Sequence, residues 1–296
     1  MDGVLNVNKP SGMTSHDVVL HIRRILKEKR IGHAGTLDPL ATGVLVLCIG
    51  KATRIARYLE AGEKEYQAVM RLGITTDTLD AEGRVLATKT YAAPDRSALV
   101  QVMQRFVGTI MQRPPAFSAV KIAGVPSYKL AREGRTEPNK PRPVTIHAIE
   151  LTAYDDPFVR MTVSCSKGVY IRSLCADIGD ALGFGAHVTS LKRIRSGRFS
   201  IVNALTLEDL AGLAAAGTVG TAVTTIDDAL ADFPCIRLAG AEATRVANGG
   251  RISCPASGTN NRNGPVRLHD PLDRLLAIAH LDEGIIKPEL VFSCGM

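Results

Sequence analysis

Asp38 stands in the stretch GHAGTLDPLATG, residues 32–43, between a glycine-rich turn and a proline, and the apolar run VLVLCIG follows almost at once. A carboxylate in a loop is ordinarily solvated or caps a turn, and on the Asp-Pro dipeptide alone an Asx-turn is the plain alternative. At the edge of a core the same carboxylate loses hydration, which is unfavourable unless it has a partner and a task. One ionised carboxylate so placed can attack a carbon or take a proton.

Other chemistries lack their residues. Gly50-Lys51 resembles the end of a phosphate-binding loop, but Leu45 stands where the first glycine belongs and Ala52 replaces the Ser/Thr that holds magnesium. There is no HExxH and no GxSxG. The seven histidines, at 16, 21, 33, 147, 187, 269 and 280, form no ligand spacing with Cys or carboxylates. Asp77 and Asp80 in TTDTLDAEG read as turn-forming side chains of a polar loop, with a metal pair as the alternative. No metal and no cofactor is expected.

The elements that must position Asp38 follow from periodicity. SHDVVLHIRRIL (15–26) predicts a helix with Ser15 as N-cap and Val18, Val19, Ile22 and Ile25/Leu26 on one face. GVLVLCIG (43–50) is too short for a helix and rich in β-branched residues. In EYQAVMRLG (65–73), Tyr66, Ala68, Met70 and Leu72 share one face of a strand. Asp95 caps a helix facing inward through Leu99, Val102/Met103 and Phe106. Val159, Met161, Val163 and Cys165 alternate as a strand, after which Ile171, Leu174, Cys175, Ile178 and Leu182 fall at helical spacing. CSKGVYIR is therefore a strand-to-helix junction with Tyr170 and Arg172 at the helix start. Residues 112–143, rich in Pro, Gly, Lys and Arg, read as a long functional insertion. Residues 206–216 predict a helix, and VRLH, DPLD and RLLAIAHL (266–281) a hairpin. A domain boundary is expected near residue 231.

At 296 residues and 45% hydrophobic content the chain can bury a sizeable core. Its net charge of +7 suits a polyanionic partner, and the charge is clustered. Residues 181–207 hold four basic side chains and no acidic one, and residues 118–142 hold six against Glu133 and Glu137, a pattern suited to phosphates. With no Trp and six Tyr, any stacking on bases falls to few aromatics. Six scattered cysteines without a CxxC, and a start without a signal-peptide pattern, point to a reducing, cytoplasmic setting. No apolar run approaches the ~18–20 residues of a membrane helix.

GHAGTLDPLATGVL closely resembles the active-site signature of the TruB-type tRNA pseudouridine synthases. LNVNKPSGMTSHDVV (5–19), KEYQAVMRLGITTDTLDAEG (64–83), RPPAFSAVKIAGVPSYKLAREG (113–134), CSKGVYIRSLCADIG (165–179) and LKRIRSGRF (191–199) resemble that family's further blocks in order. Ala34 stands where the family usually has Thr, Phe117 where Tyr is common, and VPSY (125–128) is unusual.

The resemblance implies an α+β fold: a mixed, largely antiparallel central sheet flanked by helices, an RNA-gripping insertion and a small C-terminal β-barrel. Residues 1–230 would be the catalytic domain and 231–296 a PUA-like RNA-binding domain. It implies isomerisation of uridine 55 in the T loop of tRNA by base flipping. Nothing in the sequence demands more than a monomer, and no membrane association is expected. Asp38 would be the essential carboxylate and Arg172 the cation that keeps it ionised, pairing bidentately. Tyr66 would stack on the flipped base and could serve in proton transfer. Tyr170 and Leu191 would wall the pocket, and His33 would enter the space that rearranged T-loop bases leave. Lys9 is either a structural tie or a phosphate contact.

Overall fold

The structure, a computed structural model, describes residues 1–118, 120–122, 124–134, 139–254 and 263–292. Arg135, Arg262 and Cys294 lie outside the described residues.

A nine-stranded sheet carries the fold. Its main path runs Gly3–Lys9, Thr42–Ile49, Ala186–Ser196, Lys64–Leu72, Phe158–Cys165, Arg142–Asp155, Gly108–Gln112. All these neighbours pair antiparallel except Thr42–Ile49 with Ala186–Ser196, which join in parallel through Lys192↔Thr42 and Arg193↔Gly43. The expected mixed, largely antiparallel sheet is the one present.

Two kinds of strand read differently in sequence for a physical reason. Lys64–Leu72 buries alternate residues, with Tyr66, Ala68, Met70 and Leu72 in the core and the intervening side chains towards solvent. Thr42–Ile49 is buried on both faces and so reads as an unbroken apolar run. Leu45, Leu47 and Ile49 join the main core, while Val44, Val46 and Cys48 join a second cluster that includes Ile278 and Phe292 from the C-terminal region.

The first helix spans Ser15–Leu26 as its periodicity predicts, but Thr14, not Ser15, is its cap, in a capping box with Asp17. Ser15 is instead buried, its hydroxyl exchanging hydrogen bonds with the Leu37 backbone. Asp95 caps Arg96–Gln104, as expected. The helix Ile171–Ala181 follows Phe158–Cys165 and carries Arg172 in its first turn.

Within the insertion, Lys121–Ile122 pairs with Val125–Pro126 ahead of the short helix Ser127–Arg132. Asn139 Nδ2 closes the insertion onto the carbonyls of Pro114 (3.3 Å) and Pro115 (2.9 Å). Ser173 Oγ ties Arg113 O to the Arg172 helix at 2.9 Å.

The C-terminal region forms a five-stranded half-barrel in the order Cys235–Arg237, Gly264–His269, Leu275–Asp282, Ile285–Val291, Ile252–Ser253, and the expected hairpin is at its centre. Gly240–Ala247 packs against it through Ala243 and Val246. Among the described residues no helix is long and apolar enough to cross a membrane, and no group of His, Cys, Asp and Glu has a metal-holding arrangement.

Candidate active site

The turn that presents Asp38 is held from four directions. Ala34 N–H donates to Val46 O at 2.9 Å, and the Ala41 N–H closes onto Asp38 O at 3.1 Å. Gly12 N–H donates to Pro39 O at 2.9 Å. From beneath, Arg193 donates to Gly35 O (3.1 Å), Thr36 O (3.4 Å) and Val44 O (2.7 Å). Gly43 is required here: its φ is +97°, and a Cβ on it would lie 2.2 Å from Arg193 O.

Lys9 is the fourth support. It is fully buried, and its ammonium donates to Pro10 O (2.8 Å), Met13 O (2.5 Å) and Pro39 O (3.1 Å). Of its two expected roles it takes the structural one, since a phosphate cannot reach it. Burial pushes its pKa down to about 8, against the pull of Asp38.

A cavity of about 680 Å³ opens beside this turn, within the ~300–1,000 Å³ range of small-ligand sites. Asp38, Tyr66, Tyr170, Arg172, Leu191 and Arg193 all line it. The structure thus gathers five residues singled out in sequence, from segments more than 150 positions apart, and adds Arg193. His33 lies outside this lining. It ends the short strand Ile31–His33, and its buried Nδ1 makes no hydrogen bond. Burial and the charge of Arg193 lower its pKa, so the ring is neutral near pH 7.

Arg172 is buried and touches Asp38 at one point, Nε to Oδ2 at 2.9 Å. The expected bidentate pair is not formed, because the rest of the guanidinium is committed elsewhere. Nη1 meets Asp80 Oδ2 at 3.2 Å and Thr78 O at 2.9 Å, and Nη2 donates to Phe117 O at 2.9 Å. The arginine is thereby immobilised before any ligand arrives. Because Phe117 offers its backbone carbonyl, a Phe in place of Tyr leaves this contact intact.

Asp80 is the residue whose role the sequence reading missed. It does form a turn, with Thr78 Oγ1 at 2.5 Å and Glu82 N at 3.1 Å on Oδ1, but its other oxygen is the second anchor of Arg172. Nothing local in TTDTLDAEG signals a partner more than 90 positions away.

Burial raises the Asp38 pKa, Arg172 opposes it, and the nearby Asp80 charge adds to the rise. About a third of the Asp38 side chain stays accessible, enough for a ligand to reach it. Tyr66 is buried on its strand, and burial likewise raises its hydroxyl pKa while Arg193 pulls it down. At the far side, the Arg142 guanidinium lies 5.3 Å from the Tyr170 ring centroid. Arg57, Lys64 and Lys167 add further positive charge to the lining. Glu60 also lines the cavity, but Asp38 is the carboxylate oriented by Arg172, and the arrangement can present it to a polyanion whose aromatic base lies against Tyr66.

A site of this kind, on a mixed sheet with an inserted arm, belongs to the pseudouridine synthases. Two family profiles match in succession: "TruB family pseudouridylate synthase (N terminal domain)" over residues 23–171, and "tRNA pseudouridylate synthase B C-terminal domain" over residues 172–231. The chain belongs to the TruB family. It is 42% identical to tRNA pseudouridine synthase B of Burkholderia mallei (strain NCTC 10247), over 100% of this chain and 98% of that protein. The protein of the same name from Geotalea uraniireducens (strain Rf4) is 47% identical over 84% of this chain and 80% of its own length. A chain in the crystal structure of a Cbf5-Nop10-Gar1 complex superposes with a TM-score of 0.78 at 30% identity, covering 98% of this chain and 85% of that one.

Proposed function

We propose that this pseudouridine synthase isomerises uridine 55 in the T loop of tRNA. The observation that carries the reading is the Asp38–Arg172 contact at 2.9 Å, facing a cavity walled by Tyr66. The base of a folded loop is inaccessible, so the nucleotide flips into the cavity, where Tyr66 stacks on it for roughly 1–3 kcal/mol. Tyr170 and Leu191 wall the same space. Asp38 then attacks C1′ or removes the C2′ proton, the N1–C1′ bond breaks, and uracil turns and rejoins through C5.

His33, neutral at working pH, fills the space among rearranged loop bases without burying a charge. The insertion and the basic lining grip backbone phosphates, so tRNA affinity falls steeply with salt. Residues 1–230 and 231–296 act as catalytic and PUA-like RNA-binding domains. The protein acts as a monomer, and a tRNA substrate suits the cytoplasm.

The test is tritium release from a tRNA transcript labelled at uracil C5. Wild type is expected to release about one equivalent per tRNA. Asp38→Asn is expected to lower the single-turnover rate by more than ~10⁴-fold while tRNA affinity stays within about threefold. Tight tRNA binding without release by the wild type would leave an RNA-binding role in its place.

A further inference from the structure

Arg193 is one of the largest fully buried side chains of the molecule, at 1% exposure, and it borders the cavity. Among the described residues no carboxylate lies within ion-pair distance of it. A buried guanidinium held only by carbonyls is costly, and a neutral side chain would tie the loop more cheaply. The positive charge therefore needs an explanation beyond holding Gly35, Thr36 and Val44.

The sheet supplies one. Arg193 is the direct cross-strand partner of Tyr66, where Ala186–Ser196 runs antiparallel to Lys64–Leu72. Neighbours across two strands share a face, so both side chains point into the cavity. A β-bulge follows at once, between Arg193 and Arg195, a device that re-aims side chains beside active sites. The charge of Arg193 acts on the Tyr66 hydroxyl, opposing the rise in pKa that burial causes.

Arginine has five N–H donors and no acceptor. Against it the phenol oxygen can only accept, which turns the hydroxyl proton away from the guanidinium. When N1–C1′ breaks, the electron pair passes to N1 and delocalises over O2 and O4 of the detached ring. Asp38 meanwhile bonds to C1′ or holds the C2′ proton. C5 then bonds to C1′ as Asp38 leaves that carbon, or returns the proton to C2′; C5 loses its proton to a base and N1 takes one up, so no co-reactant is needed. Between those steps the ring is an anion in a water-poor pocket, where a preorganised donor is most effective.

We propose that Arg193 is a positioning residue that locks the Tyr66 hydroxyl as a donor towards the detached, negatively charged uracil. The proposal rests on the pseudouridine synthase reading of the site. The buried cation stabilises that anion by polarising Tyr66, and its carbonyl contacts hold the same loop that carries Asp38. One side chain thus couples the aim of the carboxylate to the state of the phenol.

A double-mutant cycle tests it, read as single-turnover tritium release together with tRNA affinity. Arg193→Gln is expected to slow release by about 30–100-fold, with affinity within about threefold. Arg193→Lys, which keeps the charge, recovers most of that loss. In a Tyr66→Phe background, adding Arg193→Gln costs at least about fivefold less than it does in the wild type, because the hydroxyl is gone and only the hold on the Asp38 turn is lost. Losses that multiply in the double variant would overturn the proposal, as would an Arg193→Lys no faster than the Gln variant, or a loss confined to tRNA affinity. If Arg193→Gln fails to show a cooperative melting transition, the same cycle is run with Arg193→Lys: a defect that shrinks beside Tyr66→Phe supports the coupling, and one that keeps its full size overturns it. A wild type that releases no tritium overturns the reading of the site and this proposal with it; an active wild type with multiplicative losses overturns this proposal alone.

Discussion

Two sets of charges in this protein are partnered in opposite ways. At the junction with the C-terminal half-barrel, Arg267 meets Asp227 at 2.7 Å, and His269 lies between Asp227 (3.0 Å) and Asp273 (3.1 Å). Arg237 completes the chain on Asp273 at 2.5 Å. Each arginine there has an anion of the same protein, and the network ties the helix Ile226–Ala229 to the strand Gly264–His269. At the cavity, Arg193 has no carboxylate among the described residues, and Asp38 gets only one contact from an arginine whose other nitrogens are occupied. Charges satisfied internally hold elements together; charges left with spare capacity face the space where a substrate sits.

The sharpest way to break this contrast is Asp80→Ala. It removes one of the two carboxylates on Arg172 and frees the guanidinium to swing. Single-turnover tritium release should fall by about 100-fold, with tRNA affinity within about threefold, since a displacement of about 1 Å at a reacting group has effects of that order. A rate close to wild type would mean that the carbonyls of Thr78 and Phe117 suffice to aim Arg172.

Asp227→Ala probes the other side. Arg267 and His269 would lose their shared anion, and urea unfolding should report a loss of about 2 kcal/mol. Release from tRNA, measured below the unfolding range, should stay within about twofold. A large catalytic defect in a folded protein would show that the junction takes part in the chemistry and that the two charge sets are not distinct.

The smallest effect concerns Asp38 itself. Its folded pKa is raised, so the folded state holds that proton more firmly than the unfolded chain does. Stability from this group is then lost as pH rises from the ordinary carboxylate pKa, about 4, through the raised value. Asp38→Asn should melt roughly 2–4 °C above wild type at pH 7, with the gap closing near pH 4. An equal gap at both pH values would show that the carboxylate is not strained by its position.

Much of this could be read along the chain because much of it is local. The alternation in Lys64–Leu72 and Phe158–Cys165, the amphipathic Ser15–Leu26 and the hairpin around DPLD each depend on spacings of two to four residues. Thr14 and Ser15 are both good capping types, so local sequence does not choose between them; the Leu37 backbone, 22 positions away, takes the Ser15 hydroxyl and leaves the cap to Thr14. Asp77 and Asp80 look alike in their loop, and only a buried arginine on a distant helix distinguishes them.

The sequence by itself determined the turn that carries Asp38, the strand face that carries Tyr66, the helix start that carries Arg172 and, through its motifs, the family. The tertiary structure alone decided who touches whom: Arg172 shared between Asp38 and Asp80, Lys9 sealed beneath Pro39, and Arg193 set against Tyr66. The physical reason is range. Periodicity and capping are written within a few residues, whereas these pairings depend on the register of strands that meet across more than 100 positions, and on a bulge that no local pattern announces.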